Sequence, residues 1–215
     1  MKHAQEDEMI LSLHFPRCAG TSFRLYLESV FGDALFLNYG AFNSPTSSED
    51  VIPPGTRCIH GHFRGHVFDA VYPNARKITW IRHPVERTLS NYFFFKNGPE
   101  VVHPFAKPVR SGEMGIEEFC MQSRMLAEFE YYFRDRVLKD FCWVGIVEEP
   151  EASMASLQQA LGLPLGNLKG VNDARRDREL ISSELLEKLE RVYAQEIDIY
   201  ERQKNRLLRD AKGGI

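Results

Sequence analysis

Apolar positions along the chain switch repeatedly between short continuous runs and helical stripes. Ile10–Phe15 (ILSLHF) is a β-compatible run. Pro16–Ser22 then breaks it, and Phe23, Leu25, Leu27, Val30 and Phe31 form a helical stripe that Gly32 stops. Arg57–Phe63 (RCIHGHF) predicts a second strand and Lys77–Ile81 (KITWI) a third. Pro84 stands where proline opens a helix, and the pattern predicts that helix over Val85–Lys96, closed by Asn97-Gly98-Pro99. Glu100–Gly115 is irregular. Ile116–Val137 reads as helix with an aromatic patch at Phe129, Tyr131, Tyr132 and Phe133. Phe141–Val147 predicts a fourth strand, Glu151–Leu161 a helix, and Ser182–Lys204 one long amphipathic helix. The stretches Asn43–Gly55 and Pro164–Asp177 read as polar loops.

Strands alternating with helices imply an α/β fold: three layers, with a mostly parallel central sheet of about four to five strands between helices. The simplest division is one domain over residues 1–215, with tails at 1–8 and 210–215.

Composition narrows the function. Lys and Arg number 27 against 30 Asp and Glu, a net charge of −3. This speaks against a duplex nucleic-acid binder but leaves room for one basic cleft. Cys18, Cys58, Cys120 and Cys142 show neither CxxC nor zinc-site spacing, so free thiols and no metal are expected. The polar start MKHAQEDEM is no signal peptide, and no run reaches membrane-span length. A cytoplasmic location with no membrane span is the expectation; oligomeric state is not legible.

Two segments carry chemistry. In the first, PRCAGTSF joins a strand to a helix. Gly20 permits a close backbone approach, the helix N-terminus favours an anion, and Thr21, Ser22 and Arg17 add donors. The structural alternative is that Thr21 or Ser22 only caps a helix. The spacing GxxxxGK[ST] is absent, which weakens an ATPase or kinase reading. In the second, KITWIRHPVERTLSNYFFF, Arg82 falls at the carboxyl end of a strand, where open α/β sheets bind ligands. Ser90 follows about two helical turns on, so both can face one pocket. The alternative pairs Arg82 and Arg87 with surface acids such as Glu86.

These two segments, about sixty residues apart, resemble the sulfotransferases that use 3′-phosphoadenosine 5′-phosphosulfate (PAPS). The closer resemblance is to the carbohydrate-type, 2-O-sulfotransferase-like branch. FCWVGIVEEPEASMASLQQALGL and VYAQEIDIYE are similar to later segments of the same family. The resemblance implies a P-loop-like fold, and PAPS as co-substrate without metal. It implies transfer of a sulfuryl group to an acceptor hydroxyl, a saccharide in that branch. Loop residues Arg17, Cys18, Ala19, Gly20, Thr21 and Ser22 would hold the 5′ end. Arg82 and Ser90 would hold the 3′-phosphate, and Lys169 and Gly170 would close over the nucleotide.

IHGHFRGH supplies the base. Histidine titrates near neutrality, and His60 and His62 share a face of an extended strand unless Gly61 turns it. An HxH pair also suits zinc, but no third ligand is evident. The resemblance implies His62 as the base, with His60 second; His66 reads as a surface residue. One departure stands out: the family's loop lysine is Arg17 here, which stabilises charge but does not readily donate a proton. Two further readings follow, a PAPS-binding protein without turnover and a P-loop-like nucleotide kinase.

Overall fold

A computed structural model describes residues 9–39, 52–133, 138–166, 168 and 181–213. Among these, five strands form one parallel sheet: β1 (Ile10–Leu13), β2 (Leu35–Asn38), β3 (Cys58–Gly61), β4 (Arg76–Ile81) and β5 (Trp143–Ile146), ordered β2-β3-β1-β4-β5. β1 and β3 are buried along their whole length, as expected of central strands of a parallel sheet covered on both faces. The chain leaves central β1 toward one edge of the sheet and crosses back to β4 on the other side. Ligands bind outside the carboxyl ends of strands at such a reversal.

The helices are α1 (Gly20–Phe31), α2 (Pro84–Asn97), α3 (Ala106–Ser111), α4 (Ile116–Cys120), α5 (Ser123–Leu126), α6 (Glu128–Tyr132), α7 (Pro150–Leu161), α8 (Ser183–Val192) and α9 (Ala194–Gly213). The three-layer α/β expectation holds. Local details differ from the sequence reading. β2 was not foreseen, because LFLN at a half-exposed sheet edge has no alternation to reveal it. The helix expected over Ile116–Val137 is three short segments as far as Tyr132; residues 134–137 lie outside the described ones. The single helix expected over Ser182–Lys204 divides at Tyr193, and α9 extends to Gly213. Ser182 caps α8, accepting the Leu185 N–H at 3.2 Å. The irregular stretch before Gly115 contains α3.

Two apolar clusters hold the fold. One fills both faces of the sheet, from Leu11, Ile59, Ile78 and Ile146 out to Phe23 and Leu157. The other joins α2 to α3, α4, α5 and α8 through Leu89, Val109, Phe119, Met125 and Leu189. Phe129 and Phe133 of the aromatic patch are core residues, whereas Tyr131 is exposed. Cys18, Cys58 and Cys120 are buried free thiols and Cys142 is an exposed one. No helix among the described residues is long and apolar enough to cross a membrane.

Arg87 does not pair at the surface. Its side chain is 1% exposed, it forms an ion pair with Glu128, and its guanidinium lies 4.6 Å over the Phe15 ring. This pins α2 and α6 beneath the loop that follows β1. A buried charge left without its partner costs far more than the intact pair contributes. Glu128→Ala should therefore destabilise by about 3–5 kcal/mol, whereas the double variant Arg87→Met/Glu128→Leu should lie nearer the wild type. Urea unfolding of the three proteins checks both expectations; equal losses in the single and double variants would contradict them.

Candidate active site

The chain turns sharply between β1 and α1. Arg17 and Ala19 adopt left-handed backbone angles, with φ of 64° and 57°. For residues with a Cβ each such angle costs about 1–2 kcal/mol. The surroundings enforce it. Cys18, between them, is buried; its N–H donates to the Phe15 carbonyl at 3.2 Å and its thiol to the Pro16 carbonyl at 3.6 Å. Burial pushes that thiol up to about 12. Cys18 therefore anchors the loop and offers a ligand neither its N–H nor its sulfur.

Ala19 is the N-cap of α1, with no side-chain cap, and the first turn carries no acid. The capping role considered for Thr21 or Ser22 is thus not the one found at this position. The helix start keeps its positive end toward the sheet's carboxyl edge. Thr21 is exposed and Ser22 half-buried there. Gly20 is required for a different reason than backbone bending. A Cβ on it would lie 1.7 Å from Nε2 of His14 and 1.9 Å from its Cδ2. The His14 imidazole occupies the space a side chain would take.

Arg17, Arg82 and Ser90 converge. The Nε of Arg17 donates to Ser90 Oγ at 3.2 Å, and its guanidinium lies 4.5 Å over the Phe94 ring. Arg82 Nη1 reaches the Arg17 carbonyl at 3.5 Å, while its buried Nε has no partner among the described residues. Neither arginine forms an ion pair among those residues. Burial, and then the Arg82 charge, lower the Arg17 pKa. The turn beside Arg82 is fixed by Glu148, which accepts the His83 N–H at 3.1 Å and the Tyr200 hydroxyl at 2.9 Å. Lys169 and Gly170 lie outside the described residues.

The histidines stack at the ends of β1 and β3. Ser12 and His60 are register partners, joined through Ser12 Oγ and His60 Nδ1 at 2.8 Å. β3 stops at Gly61, so His62 leaves the strand's alternation. Its N–H donates to the Asn38 carbonyl at 3.0 Å, an approach possible because a Cβ on Gly61 would come within 1.7 Å of that oxygen. His62 Nδ1 pairs with the His14 carbonyl at 2.8 Å. A carbonyl only accepts, so the proton is on Nδ1 and Nε2 keeps its lone pair. The His14 ring lies parallel to the other two, 4.3 Å from His62 and 5.4 Å from His60 between centroids. Its Nδ1 pairs with the Tyr39 hydroxyl at 2.9 Å.

His14 and Tyr39 escaped the sequence reading. The only trace of His14 is a polar residue inside the run Ile10–Phe15, and Tyr39 follows β2, which the pattern does not reveal. With His14 a third imidazole does stand beside the HxH pair. The rings lie within 26° of parallel, however, so their nitrogens do not converge. No metal-holding group of His, Cys, Asp or Glu occurs among the described residues. His66 lies in the turn beyond His62.

All three stacked imidazoles favour the neutral form. Burial takes His60 down to about 4, against a smaller upward pull from the Gly20 backbone. Burial also lowers His62, opposed by the His14 carbonyl and the Glu128 charge. His14 is lowered well below 6.5, by burial first and then by His62, His60, Arg17 and Arg24.

No protein-family model and no curated protein sequence matches the chain. Solved structures do. Mouse sulfotransferase SULT7A1, complexed with PAP, superposes with a TM-score of 0.53 at 10% identity, over 93% of this chain and 88% of that one. This chain shares that enzyme's fold. A sulfotransferase from Alicyclobacillus acidocaldarius gives a TM-score of 0.48 at 14% identity, over 89% of this chain and 94% of that one.

The buried stack makes stability sensitive to acid. A histidine with a depressed folded-state pKa stabilises the fold above its unfolded pKa, and that contribution is lost as pH falls toward the folded value. For His60 the window runs from 6.5 down to about 4. Its share of the loss between pH 7 and pH 5 should be about 2 kcal/mol. His60→Asn should flatten the unfolding free energy over this window; an unchanged slope would mean that His60 titrates alike in the folded and unfolded states.

Proposed function

We propose that the protein transfers a sulfuryl group from PAPS to a hydroxyl of an acceptor, a carbohydrate by the sequence resemblance. One observation carries this reading. Arg17, Arg82 and Ser90 gather at the N-terminus of α1, with no carboxylate paired to either arginine among the described residues. Two guanidiniums drawn together without counter-charge fit a polyanion, and the buried Arg82 Nε is a donor in need of an acceptor. PAPS carries phosphates at both ends of its ribose. The shared fold with a PAP-complexed sulfotransferase supports the same choice.

In this reading Arg17 and the loop from Ala19 to Ser22 hold the 5′ end, Arg82 and Ser90 hold the 3′-phosphate, and Lys169 and Gly170 close over the nucleotide. The acceptor oxygen attacks sulfur. The bond from sulfur to the bridging oxygen breaks, and 3′-phosphoadenosine 5′-phosphate (PAP) leaves. The hydroxyl proton passes to His62, whose Nδ1–H is held by the His14 carbonyl so that Nε2 is the basic atom. Arg17 stabilises charge on the leaving oxygen and remains protonated throughout. His60 is 1% exposed and bound to Ser12, so it serves beside the base instead of meeting an acceptor.

Calorimetry should show PAP binding with no comparable affinity for ATP, and Arg82→Ala should weaken PAP about tenfold to a hundredfold. Transfer of labelled sulfate to a glycan panel should fall on the order of 10²–10⁴-fold in His62→Ala with PAP affinity kept. No PAP binding by the wild type would overturn the nucleotide assignment. Binding without transfer would leave a PAPS-binding protein, and normal turnover in His62→Ala would reject the base.

A further inference from the structure

We propose that His14 is a positioning residue, which locks the His62 ring against the anion-binding loop and thereby sets the distance from base to bound donor. The inference rests on the sulfuryl-transfer reading for its chemistry and on packing for its geometry.

His14 touches both halves of the site. Its ring fills the space over Gly20, where even a methyl group would collide. Its carbonyl holds His62 Nδ1 at 2.8 Å, and its ring lies on the His62 ring, 4.3 Å away at 26°. The His60 ring lies 5.4 Å away at 13° and is itself tied to Ser12 in the sheet. The Tyr39 hydroxyl, 2.9 Å from Nδ1, fixes rotation in the ring plane. The His14 ring is thus confined by Gly20, His62, His60 and Tyr39. Through it the first residue of α1 and the base belong to one rigid unit. An in-line displacement needs such a fixed separation, because the base must meet a hydroxyl that is itself aligned with a sulfur anchored on α1.

The stack also keeps the base ready. The charged groups around His14 are Arg17 from the loop and Arg24 from α1, with His60 on β3 and His62 just beyond it; Tyr39 after β2 is neutral. Glu128 bears on His62 from α6. Every cation in this set disfavours a proton on His14, so the ring stays neutral and shields one face of His62 from water. Removing the ring hydrates His62 and moves its titration upward, toward 6.5.

The test uses His14→Asn, which preserves a partner for Tyr39 but removes the ring, and Tyr39→Phe, which preserves the ring but removes its anchor. Three readouts are needed: His62 titration by NMR in the free protein, PAP affinity by calorimetry, and kcat with KM for sulfate transfer. In His14→Asn the His62 midpoint should rise and the acid limb of the rate profile should follow it. At pH values above that limb, kcat should still fall on the order of tenfold to a hundredfold, the loss that about an ångström of misplacement brings. PAP affinity should stay within about twofold. Tyr39→Phe should move kcat the same way by less, which also covers a failure of His14→Asn to fold. An unchanged His62 midpoint with unchanged kcat would overturn the proposal. A loss of PAP affinity matching the loss of kcat would also overturn it, by placing His14 in the anion site instead. The NMR arm needs no nucleotide, so failure of the sulfuryl-transfer reading appears separately, as a wild type that binds no PAP.

Discussion

Nothing can stand between the His14 imidazole and the α-carbon of Gly20, and much of the site follows from that exclusion. The ring sits where a side chain would be. It can do so only because α1 begins at Gly20, and α1 begins there because Arg17 and Ala19 take left-handed angles around a buried Cys18. A loop of ordinary angles would carry the helix start elsewhere and leave the ring against solvent. The strain in two residues is thus what brings the histidine stack and the helix N-terminus together. Elements far from the loop sustain it: the Arg87–Glu128 pair and the Phe129 and Phe133 rings pack beneath Phe15, immediately before the turn.

The charge distribution follows the same economy. The chain is acidic as a whole, yet Arg17 and Arg82 lie close enough for one to lower the pKa of the other. Arg87 has a carboxylate; these two have none among the described residues. The contrast separates a cation neutralised inside the protein from two left without a counter-charge there. The stacked imidazoles lie against the first residue of α1. Burial keeps all three neutral, so they add no positive charge to that of the arginines.

The sequence disclosed whatever depends on local chain chemistry. Proline and glycine punctuate the strand–loop–helix unit, continuous apolar runs mark strands buried on both faces, and Pro84 opens α2 as expected. Arg82 and Ser90 were readable because strand end and helix spacing alone bring them to one edge. What stayed hidden depends on contacts between distant segments. Arg87 looks like a surface cation until α6 delivers Glu128. His14 looks like the polar end of a strand until β3 and the turn at Gly61 bring two more imidazoles beside it. β2 carries no alternation because only part of it is covered, and the division of the last helix at Tyr193 leaves no proline or glycine to announce it. Gly20 is the instructive case: glycine was expected there, but its reason, a ring from an earlier residue, belongs to tertiary structure.

Arg17 also changes meaning once its surroundings are known. As a replacement for lysine it reads as a loss, since a guanidinium does not surrender its proton. In place, it uses two properties that lysine lacks. Its flat face lies on Phe94, while its Nε gives a directed bond to Ser90 on the adjacent helix. An ammonium group would satisfy one of these contacts at most, and its flexible stem would hold a less defined position. Arg17 thereby ties the loop to α2 and fixes its own terminal nitrogens relative to Arg82. If charge at the leaving oxygen is what the reaction must stabilise, a fixed fork is a better device than a mobile point charge. A guanidinium so fixed carries no proton away, and the neutral imidazoles packed beside Gly20 and Tyr39 are the groups at this edge able to accept one.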